Sequence, residues 1–497
     1  MNDPPPADDS IFKHMLRGSA WALLMRAALR GIGMVSTVVL ARLLTPDDFG
    51  LVAMGSVVIG FLETSSQVGV GVLLIRQPKT TRDLCDTGWT IQLLQGLFIA
   101  LGLVFAAPLA SRYFEDPRLT AVMDVFAASI LIGGASNIGI VLFRKELDFA
   151  KDFRFLIYAR LAKFVVTVPL AFALRTYWAL AIGALLGNVL SVILSYVMHP
   201  YRPRLSLARA RDFWSLSLFM VPYNLGAFLN TKVHLLVLGR IASAPTVGAY
   251  HIASELSSMA SLQITSQIGR ALFPSYAKLT HDLRRLVEVF LHVLATASIL
   301  LMPMGIGLSA VAEDFVEVFL GSQWSSSVPL VRWLAFYGIF LSLGELMTGR
   351  ILLVTGHERL SATVVWVRLG LLVPAIVVAG FSWGVEPVAI AATGTSVLMM
   401  PIAAYSLTKV LPVTWGQIAN ALWRPAFAAA IMAVAIQWFH GDSTAPAILT
   451  LPRDVAIGVV AYVTVLLTLW WVSGRPAGPE RAALTVATTR LRGRLAD

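Results

Sequence analysis

Arg26 and Arg30 stand four residues apart in an apolar stretch. In a helix that spacing puts both on one face. Two guanidinium forks on one face can grip a phosphate-bearing anion, because Arg binds phosphate oxygens in pairs and keeps its charge at any working pH. Lys163, Lys232 and Arg368 are three further cations in apolar stretches. Four acids share that setting: Glu63, Asp124, Glu255 and Glu345. Carboxylates placed so can bind a coupling cation or proton. Each candidate has a plainer reading beside the functional one. Arg26, and Arg160 three residues before Lys163, lie close enough to a span end to snorkel. Lys232 and Glu255 can simply pair, and the other acids can be structural partners of the cations. Arg332 beside Trp333 reads as an interfacial anchor.

These residues are carried by long apolar segments. Of the 497 residues 57% are hydrophobic and 13% charged, with a mean hydropathy of +0.75. A soluble domain carries about 25% charged residues, so a polytopic all-α membrane protein is expected. About 20 apolar residues cross a bilayer. Fourteen segments meet that criterion, near 19–43, 51–75, 87–110, 119–143, 153–174, 178–198, 213–239, 247–272, 286–310, 328–354, 361–382, 386–408, 423–440 and 453–473. With the N-terminus inside, 26 of the 39 Lys and Arg fall in inner connectors and termini, against 6 in outer ones. That bias follows the positive-inside rule and predicts both termini in the cytoplasm. It also accounts for the net charge of +11 without nucleic acid. The tail from 475 to 497 has five Arg and no Lys; it reads either as an arm on anionic lipid or as a solvated end.

Several chemistries are excluded or disfavoured. Cys85 is the only cysteine, so neither a disulfide framework nor a thiolate metal site can form within the chain. The eight His show no HExxH pairing, and no GxxxxGK[ST] phosphate loop occurs. Transport would then draw on Na+, H+ or the membrane potential, with no bound cofactor. The polar, acidic start MNDPPPADDS lacks the basic n-region of a secretory signal, so the first apolar segment is expected to be retained. Gly183 and Gly187 form a GxxxG of the helix-packing type. Trp178, Tyr223 and Tyr337 are candidates to stack on sugar rings.

The chain also repeats itself. Leu40-Ala41-Arg42-Leu43-Leu44 runs through a Pro to Gly50-Leu51, and Leu238-Gly239-Arg240-Ile241-Ala242 runs through a Pro to Gly248-Ala249, at a constant offset of 198 residues. Six spans separate the copies, and an even number makes the repeats parallel. The expected plan is an N-terminal arm (1–18), a first six-helix lobe (19–198) and a cytoplasmic linker (199–212). A second lobe (213–410), two added helices (411–474) and the basic tail (475–497) follow. The lobes would flank a central cleft.

Four stretches carry a family resemblance: Ala41-Arg42-Leu43-Leu44-Thr45-Pro46-Asp47-Asp48-Phe49-Gly50, Phe143-Arg144-Lys145-Glu146-Leu147-Asp148-Phe149, Arg202-Pro203-Arg204-Leu205-Ser206, and Gly321-Ser322-Gln323-Trp324 with Pro329-Leu330. They resemble the polysaccharide-exporter branch of the multidrug/oligosaccharidyl-lipid/polysaccharide superfamily, the Wzx-type flippases. The resemblance runs from about residue 15 to about 410 and fades in the last two helices. It implies movement of a polyprenyl-pyrophosphate-linked oligosaccharide from the inner to the outer leaflet of a bacterial inner membrane. Partners would be that lipid-linked substrate, membrane lipids, and the polysaccharide polymerase and export machinery. Members often carry an acid a few positions before the Gly-Arg pair closing helix 7. His234 occupies that place here, which removes the ground for a cation role there.

Two other readings compete. A multidrug exporter of the same superfamily would need an apolar or acidic cavity rather than an Arg-lined one. A membrane glycosyltransferase or polymerase could use Asp47-Asp48 as an acidic pair, but no connector is long enough to form an acceptor-binding domain.

Overall fold

The computed structural model describes residues 28–67, 69–77, 81–146, 148–441, 445–476 and 478–480. Within them, backbone alone is described at 76, 214–223, 259–260, 262–264, 266–275 and 277–278. The described chain is helical. The first helix, α1, covers residues 28–43. It is followed by α2 (Pro46–Ser65), α3 (Val70–Arg76), α4 (Arg82–Phe114), α5 (Arg118–Gly134) and α6 (Ile140–Lys145). Next come α7 (Phe149–Leu174), α8 (Trp178–Met198), α9 (Ala210–Ile241), α10 (Ala244–Lys278), α11 (Leu283–Ala310) and α12 (Ala312–Phe319). A 3-10 turn (Ser322–Ser327) leads to α13 (Val328–Thr348), α14 (Arg350–Val354), α15 (Glu358–Trp383), α16 (Val385–Thr408), α17 (Trp415–His440) and α18 (Ala447–Val472).

Ten helical stretches among the described residues are long and apolar enough to cross a membrane. Each of the fourteen expected segments has a helical counterpart among the described residues, residues 19–27 of the first lying outside them, and the protein is a multi-pass membrane protein. Three segments are broken rather than continuous, the tenth at Gly349 between α13 and α14. The second breaks at Gly69, whose φ of 68° is left-handed and suits glycine, before the short α3. The fourth ends at Gly134 and resumes as α6. The short helices α3 and α6 pack together, and Val70, Leu74, Cys85, Ile138 and Phe213 form a small apolar core beside them.

By contacts the chain divides into two units, Met1–Phe228 and Leu229–Asp497. The division falls inside α9, past the connector 199–212. In the first unit α4 packs along α5, α7 along α8, and α5 against α8. The α4–α5 crossing is close because Gly96 and Gly134 stand back to back: a Cβ added at Gly96 would lie 3.1 Å from the Gly134 Cα. In the second unit α13 is central and packs on α10, α11 and α16. Leu294, Leu301, Leu343, Met347, Leu407 and Ala428 are fully buried in its core, which continues onto α17 and α18. The outward faces are rich in exposed Leu, Val and Phe, as a lipid-facing surface requires.

Candidate functional site

The resemblance-bearing stretches hold connectors in place. Thr45 caps α2, and its hydroxyl accepts from the Asp48 amide while the Asp48 carboxylate accepts from the Thr45 amide at 2.9 Å. The other Asp48 oxygen accepts from the Tyr177 amide at 2.6 Å. Asp47 receives Arg118 Nη1 at 2.6 Å, and Arg118 also binds Asp116. Both acids of the Asp47-Asp48 pair are therefore engaged by the protein itself. In the second stretch Arg144 binds Asp152 at 3.0 Å and Asp148 caps α7. In the third, the backbone amides of Arg204 and Ser206 donate to Asp86 and Thr90 of α4. Asp86 also accepts from the Tyr201 hydroxyl at 2.6 Å. Sequence reasoning overlooked Asp86, which sits in an apolar helix and whose hydrogen-bond partners Tyr201 and Arg204 lie over 110 residues away. In the fourth, Trp324 is fully buried behind Gly321, whose φ is 102°.

The intramembrane charges divide by unit. In the first, Arg26 lies outside the described residues. Arg30 is half-buried on α1, and Arg160 and Lys163 are exposed on α7. The Arg160 guanidinium covers Gly33 of α1, where an added Cβ would collide with its Nη2. The Lys163 stem packs on Gly187, and Gly183 meets Thr167, so the GxxxG serves the α7–α8 contact. Glu63 and Asp124 are exposed, and no ion pair reaches either among the described residues.

The second unit gathers its polar groups. Lys232 Nζ lies 3.6 Å from Glu255 Oε1, each side chain about a third or more exposed. His234 and Tyr250 are buried with their rings 5.1 Å apart. Arg368 of α15 rests on the Tyr337 ring at 5.6 Å, and its Nη2 donates to the Tyr337 hydroxyl at 3.1 Å. That hydroxyl donates in turn to the Asn230 carbonyl at 3.4 Å. The Arg368 Nε is buried without an acceptor among the described residues. Glu345, exposed on α13, lies within electrostatic reach of Arg368 and Arg350. Tyr337 is 8% exposed and carries Arg368 rather than lying open as a sugar platform. The Tyr223 side chain is outside the described residues, and Trp178 packs on Tyr177 at 5.3 Å. Arg332 pairs with Glu313 at 3.2 Å, at an exposed helix start.

A guanidinium held from one side by a ring and a hydroxyl keeps N–H groups that can receive an anion. A buried N–H without an acceptor costs about 1–3 kcal/mol, more for a charged group, and an anionic ligand would relieve that cost. At the position where family members often carry an acid, His234 lies against the Tyr250 ring at a tilt of 45°.

The chain has relatives among known proteins. The chain is 25% identical over 425 residues to the lipopolysaccharide biosynthesis protein WzxC of Escherichia coli (strain K12), covering 84% of this chain and 85% of that one. It is 26% identical over 326 residues to the succinoglycan biosynthesis transport protein ExoT of Rhizobium meliloti, covering 65% and 66%. Among solved structures it shares the fold of the lipid II flippase MurJ in an inward closed conformation, with a TM-score of 0.70 at 14% identity, covering 93% of this chain and 100% of that one. An inward-facing multidrug resistance MATE family transporter of the MOP superfamily matches with a TM-score of 0.57 at 13% identity, covering 76% and 94%. The profile of the polysaccharide biosynthesis protein family matches residues 39–329, more than half of the chain, and the protein belongs to that family.

Proposed function

We propose that this protein is a flippase. It moves polyprenyl-pyrophosphate-linked oligosaccharide units from the cytoplasmic to the outer leaflet by alternating access of two six-helix halves. The observation that carries the reading is Arg368: a cation fixed on Tyr337 within a membrane helix, with a buried N–H that no acceptor among the described residues meets. A pyrophosphate supplies the missing acceptor. Arg30 and Arg26 of the first half, with Lys163, and Lys232 and Arg368 of the second, are the head-group ligands in this reading. Lys232 releases Glu255 when the anion arrives, and Glu255 is then open to a coupling cation or proton. Glu345, Glu63 and Asp124 are the other coupling candidates. The named roles of the relatives in lipopolysaccharide and succinoglycan biosynthesis support the glycan class. The setting is a bacterial inner membrane with both termini in the cytoplasm, beside a polysaccharide polymerase and export machinery. The protein works as a transporter, without catalysis.

The test is export in a strain deleted for the gene. Arg368→Ala and Arg30→Ala should each abolish surface polysaccharide while the protein stays in the membrane. Arg368→Lys should restore part of it, because charge returns without the planar fork. Normal export by both Ala variants would overturn the head-group assignment.

A further inference from the structure

Away from the intramembrane cations, three side chains converge where α12 meets the facing ends of α17 and α18. His440 closes α17, Asp454 lies in the second turn of α18, and Asp314 lies in the first turn of α12. His440 Nδ1 is 2.7 Å from Asp454 Oδ2 and 3.9 Å from Asp314 Oδ2. One ligand atom from each residue lies within 4.8 Å of the other two. Both carboxylates are buried, Asp454 at 1% exposure and Asp314 at 8%, while the His440 side chain is 42% exposed.

The charges around the cluster do not balance. Among the described residues two buried carboxylates face one fixed cation, Arg453, whose Nε and Nη2 bind Asp454 Oδ1 at 2.9 Å and 2.8 Å. That leaves Asp454 Oδ2, Asp314 and the imidazole facing one another. Supporting contacts are in place around the would-be ligands. Arg453 orients the far oxygen of Asp454, and the Thr450 hydroxyl donates to Asp314. Metal-binding carboxylates and imidazoles are typically oriented by such outer partners.

We propose that Asp314, His440 and Asp454 form a binding site for a divalent transition cation of the zinc class. Imidazole plus two carboxylates is a donor set that suits such ions. Tetrahedral coordination at about 2.1 Å spaces the ligand atoms about 3.4 Å apart. The His440 separations of 2.7 Å and 3.9 Å bracket that value, so only small side-chain adjustments are needed. Solvent reaches the fourth position along the exposed edge of His440. A bound ion ties α12 to the last two membrane helices.

The experiment uses tag-free, full-length protein in detergent, stripped with a chelator and titrated with Co2+. Expected are one Co2+ per chain with a visible d–d band, its displacement by Zn2+, and a rise in unfolding temperature on adding Zn2+. His440→Gln and Asp314→Asn should both lose the band and the rise, while eluting as the wild type does. His440 is exposed enough for its replacement to fold if the buried Asp314 variant does not. The proposal is overturned by the absence of a band in the wild type, or by an unchanged band in His440→Gln. It is equally overturned if the unfolding temperature responds to pH and not to Zn2+, which would make the cluster a protonated-histidine clamp.

Discussion

The two copies of the repeated turn are built on one backbone plan with different side-chain physics. In the first copy α1 ends at 43 and α2 starts at Pro46; in the second α9 ends at Ile241 and α10 starts at Ala244, the same 198-residue offset. Thr45 and Asp48 correspond to Ser243 and Thr246. The first pair makes a full capping box and Asp48 reaches on to Tyr177. The second makes a lone hydroxyl contact at 3.0 Å, and Ser243 caps no backbone amide. Inside the bilayer the asymmetry reverses. The first unit leaves Glu63 and Asp124 exposed, whereas the second pairs Lys232 with Glu255 and mounts Arg368 on Tyr337. A repeat in sequence thus marks a shared scaffold, and the polar groups that break the symmetry are the ones to examine for function.

The largest expected difference is in transport. Arg368→Ala should lower export at least tenfold, whereas Arg160→Ala should change it less than twofold, because Arg160 is exposed over Gly33. Equal losses, measured as surface polysaccharide at matched protein levels, would erase the contrast between the units. Next comes the turn itself. Asp48→Ala removes the capping-box acceptor of the Thr45 amide and strips the Tyr177 amide of its acceptor, about 1–3 kcal/mol where the group is buried. Thr246→Ala should cost under about 1 kcal/mol by the same reasoning. Unfolding in mixed detergent micelles reads both, and similar values would mean that the second turn has the stronger hidden support.

Smaller effects sharpen the picture. The Lys232–Glu255 pair is over a third exposed on average, so a double-mutant cycle should give a coupling of about 0.2–1 kcal/mol. Removing Arg118, 40% exposed, should cost about 1 kcal/mol or less. Its partner Asp116 is partly buried, which opposes ionisation, but the Arg118 hydrogen bonds outweigh this and hold the carboxyl below its usual range. A depressed native pKa stabilises above the unfolded value of about 3.9 and loses that contribution as pH falls through the native value. The gap between wild type and Arg118→Ala should therefore close as the medium is acidified below about pH 4.

Much of the scaffold was legible because bilayer thickness sets helix length and apolar runs declare it. Span 2 read as continuous because its residues stay apolar on both sides of Gly69; a left-handed φ is not written in hydropathy. The site was legible as residue types. A Lys232–Glu255 pair was legible as one of two readings for Lys232, because the two residues stand on consecutive helices, α9 and α10, joined by one short turn. Tyr337 beneath Arg368 was not, since the two lie 31 residues apart on different helices. Asp86 escaped for the same reason: the Arg204 amide and the Tyr201 hydroxyl that reach it belong to a distant connector.

The most direct test of the central claim is transbilayer movement in proteoliposomes. A fluorescent polyprenyl-pyrophosphate oligosaccharide is placed in one leaflet, and its arrival in the other is followed by a membrane-impermeant quencher. Na+, proton and potential gradients are imposed in turn. Wild-type protein should speed transfer well above empty vesicles under at least one gradient, and Arg368→Ala should return it to the empty-vesicle rate. Transfer by the wild type no faster than in empty vesicles under every gradient would contradict the account.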